Sequence, residues 1–287
     1  MAKDTFFHKK ETINAGGKLI DLSVPKVMGI VNLTPDSFYA SSRRPLLTDA
    51  LLQAYRMLTD GAAFLDLGAY SSRPGAKDIS AQEETDRLIP VVELIAANYP
   101  DAILSVDTFR SQVAEDAINA GAHIINDISG GQLDEKMFAT VARLQVPYII
   151  MHMKGTPQNM NKQARYKDVF TEVLEYFIDR THQLKEMGVH DVIVDPGFGF
   201  AKMQEHSYSL MHRLKDFGVL QLPILAGVSR KRMVYNVTGG TPDDALNGTT
   251  ALNTIALMNG ANILRVHDVK EAVEAVKIFR MANHQSI

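Results

Sequence analysis

The chain has 287 residues, 46% of them hydrophobic, with no cysteine and a formal net charge of −3. That length and apolar fraction suffice for one large α/β domain, and the charge balance supplies no general cationic field for nucleic acid or an anionic membrane. The missing cysteine excludes disulfides, thiolate nucleophiles, cysteine-ligated zinc and iron–sulfur clusters together.

In chain order, the opening "MAKDTFFHKKETINAGG" lacks the apolar core and cleavage site of a signal peptide. No apolar run reaches the roughly 18 residues of a membrane span, so a cytoplasmic location is expected. "TINAGGKLIDLS" reads as a hairpin over about residues 11–24, turning at Gly16 and Gly17, and is placed as a plug under the main body of the fold. Eight short β-branched or apolar runs come next: "VMGIVN" (27–32), "FLDLG" (64–68), "ILSVDT" (103–108), "IIND" (124–127), "YIIMH" (148–152), "VIVDP" (192–196), "PILAGVS" (223–229) and "ILRVH" (263–267). Between them lie segments of helical spacing. One runs from a Thr48 cap to Gly61, and one opens with Ser80 and Glu83 placed as a capping box. A third has Thr241 as its cap, Pro242 at the first helical position, and Asp243 and Asp244 facing the helix dipole. Eight strand–helix units with no low-complexity linker, close to the roughly 250 residues usual for the fold, predict a single α/β (β/α)₈ TIM barrel with a short N-terminal β-hairpin, one domain over residues 1–287. An open doubly wound sheet would call for a glycine-rich dinucleotide turn after the first strand, and none is present.

Chemistry in such a barrel sits at the C-terminal ends of the strands. Those ends read Asn32, then the loop Ser71, Ser72 and Arg73, then Asp107, Asn126, His152, Asp195, Ser229 with Arg230 and Lys231, and finally Arg265 with His267. A polar residue at nearly every strand end marks a site. Asp107, Asn126 and Asp195 point at a common centre, where carboxylates accept paired N–H donors and an amide both donates and accepts, as a planar nitrogen heterocycle requires. Gly197 and Gly199 let the backbone approach a flat ring, and Phe198 can wall it. Arg265 and His267 share a face, and Lys231 and Arg73 approach the same rim. Such a convergence of cations fits a leaving group as anionic as pyrophosphate. Asn32, neutral and oxygen-bearing, suits one ligand of a Mg²⁺ that keeps most of its waters.

The segments "GIVNLTPDSF", "SSRPGA", "SVDTFR", "GAHIINDISGG", "MHMKGTPQNM", "DPGFGFAK", "GVSRKRM" and "ANILRVHDVKEAVEA" resemble, in this order, the corresponding blocks of the dihydropteroate synthases over residues 27–275. That family joins 4-aminobenzoate to 6-hydroxymethyl-7,8-dihydropterin pyrophosphate in folate synthesis and is the target of sulfonamides. The resemblance implies that Asp107, Asn126, Asp195 and Lys231 hydrogen-bond the pterin, with Met151, Phe198 and Gly199 against its ring. It implies that Arg265 stacks on the pterin and, with Asn32, Arg73 and His267, holds pyrophosphate and Mg²⁺. Phe38, Ser72, Arg73, Pro74, Ser229 and Arg230 would shape the aminobenzoate pocket. Asp107, Asp195, Lys231 and Arg265 would carry catalysis, and a homodimer through the late helices is implied.

Two loops depart from the family pattern. The first loop usually continues after "TPDSF" with Ser-Asp-Gly-Gly, and here Ala40 stands at the acid's place; the second usually has Glu-Ser-Thr-Arg, where Tyr70 replaces the Glu and Ser72 the Thr. Both departures fall on loops that close over substrate, not on the pterin floor. The competing readings are a methyltetrahydrofolate-type methyltransferase, which needs no anion cluster, a Schiff-base aldolase using Lys231, and a non-catalytic pterin-binding paralogue whose loop chemistry has lapsed.

Overall fold

Gly16 and Gly17, at φ of 61° and 78°, turn the chain between β1 (Thr12–Ala15) and β2 (Lys18–Asp21) in the computed structural model, which describes residues 10–33, 43–72 and 78–283. Positive φ at both central residues gives a two-residue hairpin the twist its strands need. The chain then alternates β3 (Lys26–Asn32), α1 (Arg43–Thr59), β4 (Phe64–Gly68), α2 (Ala81–Asn98), β5 (Ile103–Asp107), α3 (Ser111–Asn119), β6 (Ile124–Asp127), α4 (Met137–Leu144) and β7 (Tyr148–Met151). It continues with α5 (Val169–Glu186), β8 (Val192–Asp195), α6 (Gln204–His212), β9 (Leu225–Ala226), α7 (Arg232–Thr238), α8 (Leu246–Met258), β10 (Ile263–Val266) and α9 (Val269–Ala282). The eight strands β3 to β10 form one sheet in the order β8-β7-β6-β5-β4-β3-β10-β9, every pairing parallel. A single parallel bridge, Val194 to Ile224, brings its two edges together and completes the barrel.

Alternation along each strand sorts the side chains. Outward residues such as Val31, Leu67, Val106, Ile150, Val194 and Leu264 bury themselves under the helices. Inward, each strand gives one apolar residue to a floor: Met28, Phe64, Ile103, Ile124, Ile149, Ile193, Leu225 and Ile263. Ile13, Ala15 and Leu22 of the hairpin region pack against that floor from below, so the hairpin plugs the barrel as its sequence indicated. Asp191 holds the plug by accepting from the Asn14 amide at 2.9 Å.

Several boundaries differ from the sequence reading. Strand β9, the seventh of the eight barrel strands, shrinks to Leu225–Ala226, because Pro223 has no N–H and the Ile224 N–H bonds the side-chain oxygen of Asn262 at 3.0 Å. Helix α1 begins at Arg43, so Thr48 lies inside it. Ser80 does cap α2, its Oγ accepting from the Glu83 N–H at 3.1 Å, but the Glu83 carboxylate turns to Arg87 instead of closing the box. Thr241 caps nothing; its hydroxyl donates to Asp244 at 2.8 Å, and a 3₁₀ turn over Asp243–Ala245 precedes α8.

Candidate active site

Two residues beyond the apolar floor, the inward positions of the strands are Ile30, Asp66, Ser105, Asn126, Met151, Asp195, Gly227 and Arg265. The site is therefore built directly on the floor. At its centre Arg265 donates from Nε to Asp66 Oδ2 at 2.6 Å and from Nη2 to Asp107 Oδ2 at 2.7 Å. Asn126 donates to the same Asp66 oxygen at 3.0 Å, which uses one of its two N–H donors and orients the amide, leaving its carbonyl oxygen and second N–H for a ligand. Asp66 is fully buried, and its second oxygen has no protein partner. Burial pushes Asp107 up to about 7 against the pull of Arg265. Burial also works against the Arg265 charge, but Asp66 and Asp107 more than offset it and hold the guanidinium above its usual range.

On the opposite wall, Asp195 accepts from the Gly197 N–H at 2.8 Å. Burial raises its pKa, and Lys231 opposes that shift. Lys231 donates to the Phe198 carbonyl at 2.8 Å and sits 4.7 Å from the centre of the Phe200 ring; burial brings it down to about 8. The strand-8 loop is held close to the strand-7 loop. Gly197 has φ 71°, and a Cβ there would run into the His152 carbonyl oxygen, so only glycine fits. Gly227 leaves open the space between Lys231, Asp195 and Arg265: a Cβ on it would lie 3.8 Å from Lys231 Nζ and 4.0 Å from Asp195 Oδ2. An open-mouthed cavity results, lined by Asp107, Asn126, Ile128, Met151, Asp195, Phe200, Gly227, Lys231 and Arg265.

One ring is exchanged relative to the sequence reading. Phe198 is fully buried in the core between sheet and helices, and Phe200 lines the cavity in its place. Alternation from the inward Ile193 and Asp195 puts Phe198 outward, under the helices, and the turns at Gly197 and Gly199, with φ of 71° and 79°, break that alternation and bring Phe200 back to the cavity. Asp66 was also missed as a site residue, although its place two residues after Phe64 gives it the same inward face as the floor.

At the rim, Ser229 Oγ lies 3.0 Å from His267 Nδ1 and accepts from the His267 backbone N–H at 3.2 Å. The Arg230 guanidinium does not turn to this cavity. It forms a bidentate pair with Asp268 at 2.9 and 2.8 Å and donates to the carbonyls of Pro242 and Asp243, so only its backbone, at φ 54°, stays near Ser229. Tyr70 packs edge-on against Phe109 at 5.0 Å and accepts from Gln158 at 2.7 Å, tying the strand-4 and strand-7 loops. Ser72 is half-buried beside it. Phe38, Ala40, Arg73 and Pro74 lie outside the described residues. Asn32 is half-buried at the end of β3, and no group of three His, Asp or Glu able to hold a metal occurs among the described residues. A single amide donor fits Mg²⁺ shared with substrate phosphates, not a cation caged by protein.

A family model described as "Pterin binding enzyme" matches residues 28–267. The dihydropteroate synthase of Escherichia coli (strain K12) is 43% identical over 267 residues, covering 92% of this chain and 94% of that protein. The chain belongs to the dihydropteroate synthase family. It is thereby a transferase of folate synthesis. Among solved dihydropteroate synthases, that of Yersinia pestis in complex with a sulfonamide drug superposes with a TM-score of 0.89 at 41% identity, covering 95% of this chain and 99% of that one. The Xanthomonas albilineans dihydropteroate synthase in complex with 7,8-dihydropteroate gives 0.85 at 31% identity, covering 96% and 100%.

Proposed function

We propose that this chain condenses 6-hydroxymethyl-7,8-dihydropterin pyrophosphate with 4-aminobenzoate to give 7,8-dihydropteroate and pyrophosphate. The observation that carries this is the pairing, across one cavity, of ionisable acceptors on Asp107 and Asp195 with the oriented carbonyl of Asn126 and the cation of Lys231. A dihydropterin presents a guanidine-like edge and ring N–H donors to those acceptors. Met151 and Phe200 flank the ring, and Arg265 lies over the site between two carboxylates. His267, Arg73 and Asn32 would receive the pyrophosphate at the rim, with Ser229, Ser72, Pro74, Phe38 and the Arg230 backbone around the arylamine. Mg²⁺ held by Asn32 and the phosphate oxygens would neutralise charge on the leaving group.

These residues do their work by position and field. The C–O bond of the hydroxymethyl diphosphate breaks, pyrophosphate leaves with the bonding pair, and the arylamine nitrogen attacks the resulting methylene cation and loses a proton. Asp195, on the guanidine edge, favours positive charge in the ring as that cation forms. Lys231 is committed to the Phe198 carbonyl and to the field of Asp195, which suits a binding role better than a Schiff base.

We also propose a homodimer, supported by exposed apolar pairs one helical turn apart, Ile255 with Met258 on α8 and Ile278 with Met281 on α9. No helix of the described residues is long and apolar enough to cross a membrane, and a cytoplasmic location remains our reading.

The test is pyrophosphate release by purified protein with the dihydropterin pyrophosphate, Mg²⁺ and 4-aminobenzoate, each omitted in turn. Release that needs all three is the expected result. Tight pterin binding without release would instead make this chain a non-catalytic relative, the acid replaced by Ala40 having been indispensable. The same protein should show a bell-shaped pH dependence of pterin affinity. Asp107 must be ionised to accept from the ligand, so affinity rises as pH passes about 7. Lys231 must be charged to balance Asp195, so affinity falls as pH passes about 8. Titration calorimetry across that range reads both limbs, and a flat profile would remove these two groups from ligand recognition.

A further inference from the structure

Directly behind the cavity wall lies a buried lysine with no part in the chemistry above. Lys202 is 7% exposed, and its ammonium has three partners: His152 Nδ1 at 3.0 Å, the His152 carbonyl at 3.1 Å and the Phe200 carbonyl at 3.1 Å. Three acceptors around one nitrogen use all three ammonium protons, with the imidazole as its Nε2–H tautomer. His152 immediately follows Met151, the last residue of β7, and Phe200 lies in the loop after β8. Lys202 thus joins the residue that follows Met151 at the end of β7 to the loop that carries Phe200, and those two side chains line the cavity.

We propose that Lys202 is a positioning residue for the pterin half of the site, clamping the strand-7 loop to the strand-8 loop so that the Met151 and Phe200 wall and the Asp195 carboxylate keep their spacing. Around it stand the imidazole of His152 and the cation of Lys154 from the strand-7 loop, Asp195 from β8, and Lys231 at the start of α7. Tyr166 and His206, in contact with each other at 5.0 Å, and Tyr176, 4.9 Å from His152, close the far side. Burial keeps the His152 ring neutral, at about 2, so it serves as an acceptor and not as a second cation. Burial also lowers Lys202, to about 7, and Asp195 resists that loss of charge. With Asp66, Asp107 and Asp195 facing Arg265, Lys231 and Lys202, the ammonium is also the cation that balances the third buried carboxylate.

A single-chain change tests this. Lys202→Met is expected to weaken binding of 6-hydroxymethyl-7,8-dihydropterin pyrophosphate about tenfold while changing the KM for 4-aminobenzoate less than about twofold, because the clamp touches only the pterin wall. Since the chain has no cysteine, Lys202→Cys supplies a unique thiol. Alkylating it with 2-bromoethylamine in denaturant and refolding restores an ammonium at nearly the native reach. Recovery of pterin affinity in the aminoethylated protein, against the unalkylated variant carried through the same refolding, is the supporting result. Equal loss for both substrates, or no recovery after alkylation, would show Lys202 to be only a packing residue. Should the Met variant not fold, Lys202→Gln, which keeps two donors, is measured for the same split. The inference rests on placing the pterin in this cavity, and the wild-type protein separates the two: failure of wild type to bind the pterin overturns the placement itself.

Discussion

Replacing Asp195 by Asn is expected to lower kcat/KM by about 10²–10⁴-fold with little change in stability. The substitution keeps the size of the side chain and an oxygen for the Gly197 N–H, now 2.8 Å away. It then turns an NH₂ donor toward a ligand edge that is itself made of donors. Two charge-assisted hydrogen bonds at about 1.5–3 kcal/mol each account for that range before any loss of field on the forming cation. Stability changes little because two effects oppose each other. The carboxylate is costly to bury, which is why its pKa is raised, but it also balances the charge of Lys231. Steady-state kinetics and urea unfolding on the same preparation check both halves. Activity within about threefold of wild type would remove Asp195 from the centre of the mechanism.

The second large effect belongs to Asp66, and it falls on folding as much as on binding. Asp66→Ala is expected to cost about 3–5 kcal/mol of stability, the usual result of removing one partner from a buried ion pair. The Arg265 Nε–H and the Asn126 amide both lose their acceptor at once, and the guanidinium keeps only Asp107. Against a total stability of roughly 5–15 kcal/mol this is a large fraction, so the variant should unfold at markedly lower urea. Asp66→Asn separates fold from function. Its oxygen can still accept from both donors, so it should keep much of the stability, yet the site gains one uncompensated positive charge and pterin affinity should fall. If Asp66→Ala unfolds within about 1 kcal/mol of wild type, Asp66 does not hold the Arg265 and Asn126 side chains in place.

Both residues sit at the same height in the barrel, yet they were not equally visible from the sequence. Asp195 ends a β-branched run and precedes Pro196, so its strand-end position is written in its neighbours. Asp66 lies mid-run in "FLDLG", where an acid reads equally well as a group satisfying a neighbouring strand. Its role emerges only when Arg265, 199 positions along the chain, is brought to 2.6 Å from it.

The sequence by itself determined the eight strand–helix units, the plug hairpin with its Gly16–Gly17 turn, and the ring of polar strand ends at Asp107, Asn126, Asp195 and Arg265. These are written in local signals: alternation of period two, glycine where φ is positive, and Ser80 at a helix start. Tertiary structure alone decided which side chains those ends share. It placed Phe200 at the cavity, sent the Arg230 guanidinium to Asp268, shortened β9 to two residues, and put Lys202 under the pocket wall. Each of these outcomes depends on partners brought together only when the sheet closes, or on backbone turns at Gly197 and Gly199 that break the alternation, and neither is contained in the period of a single strand.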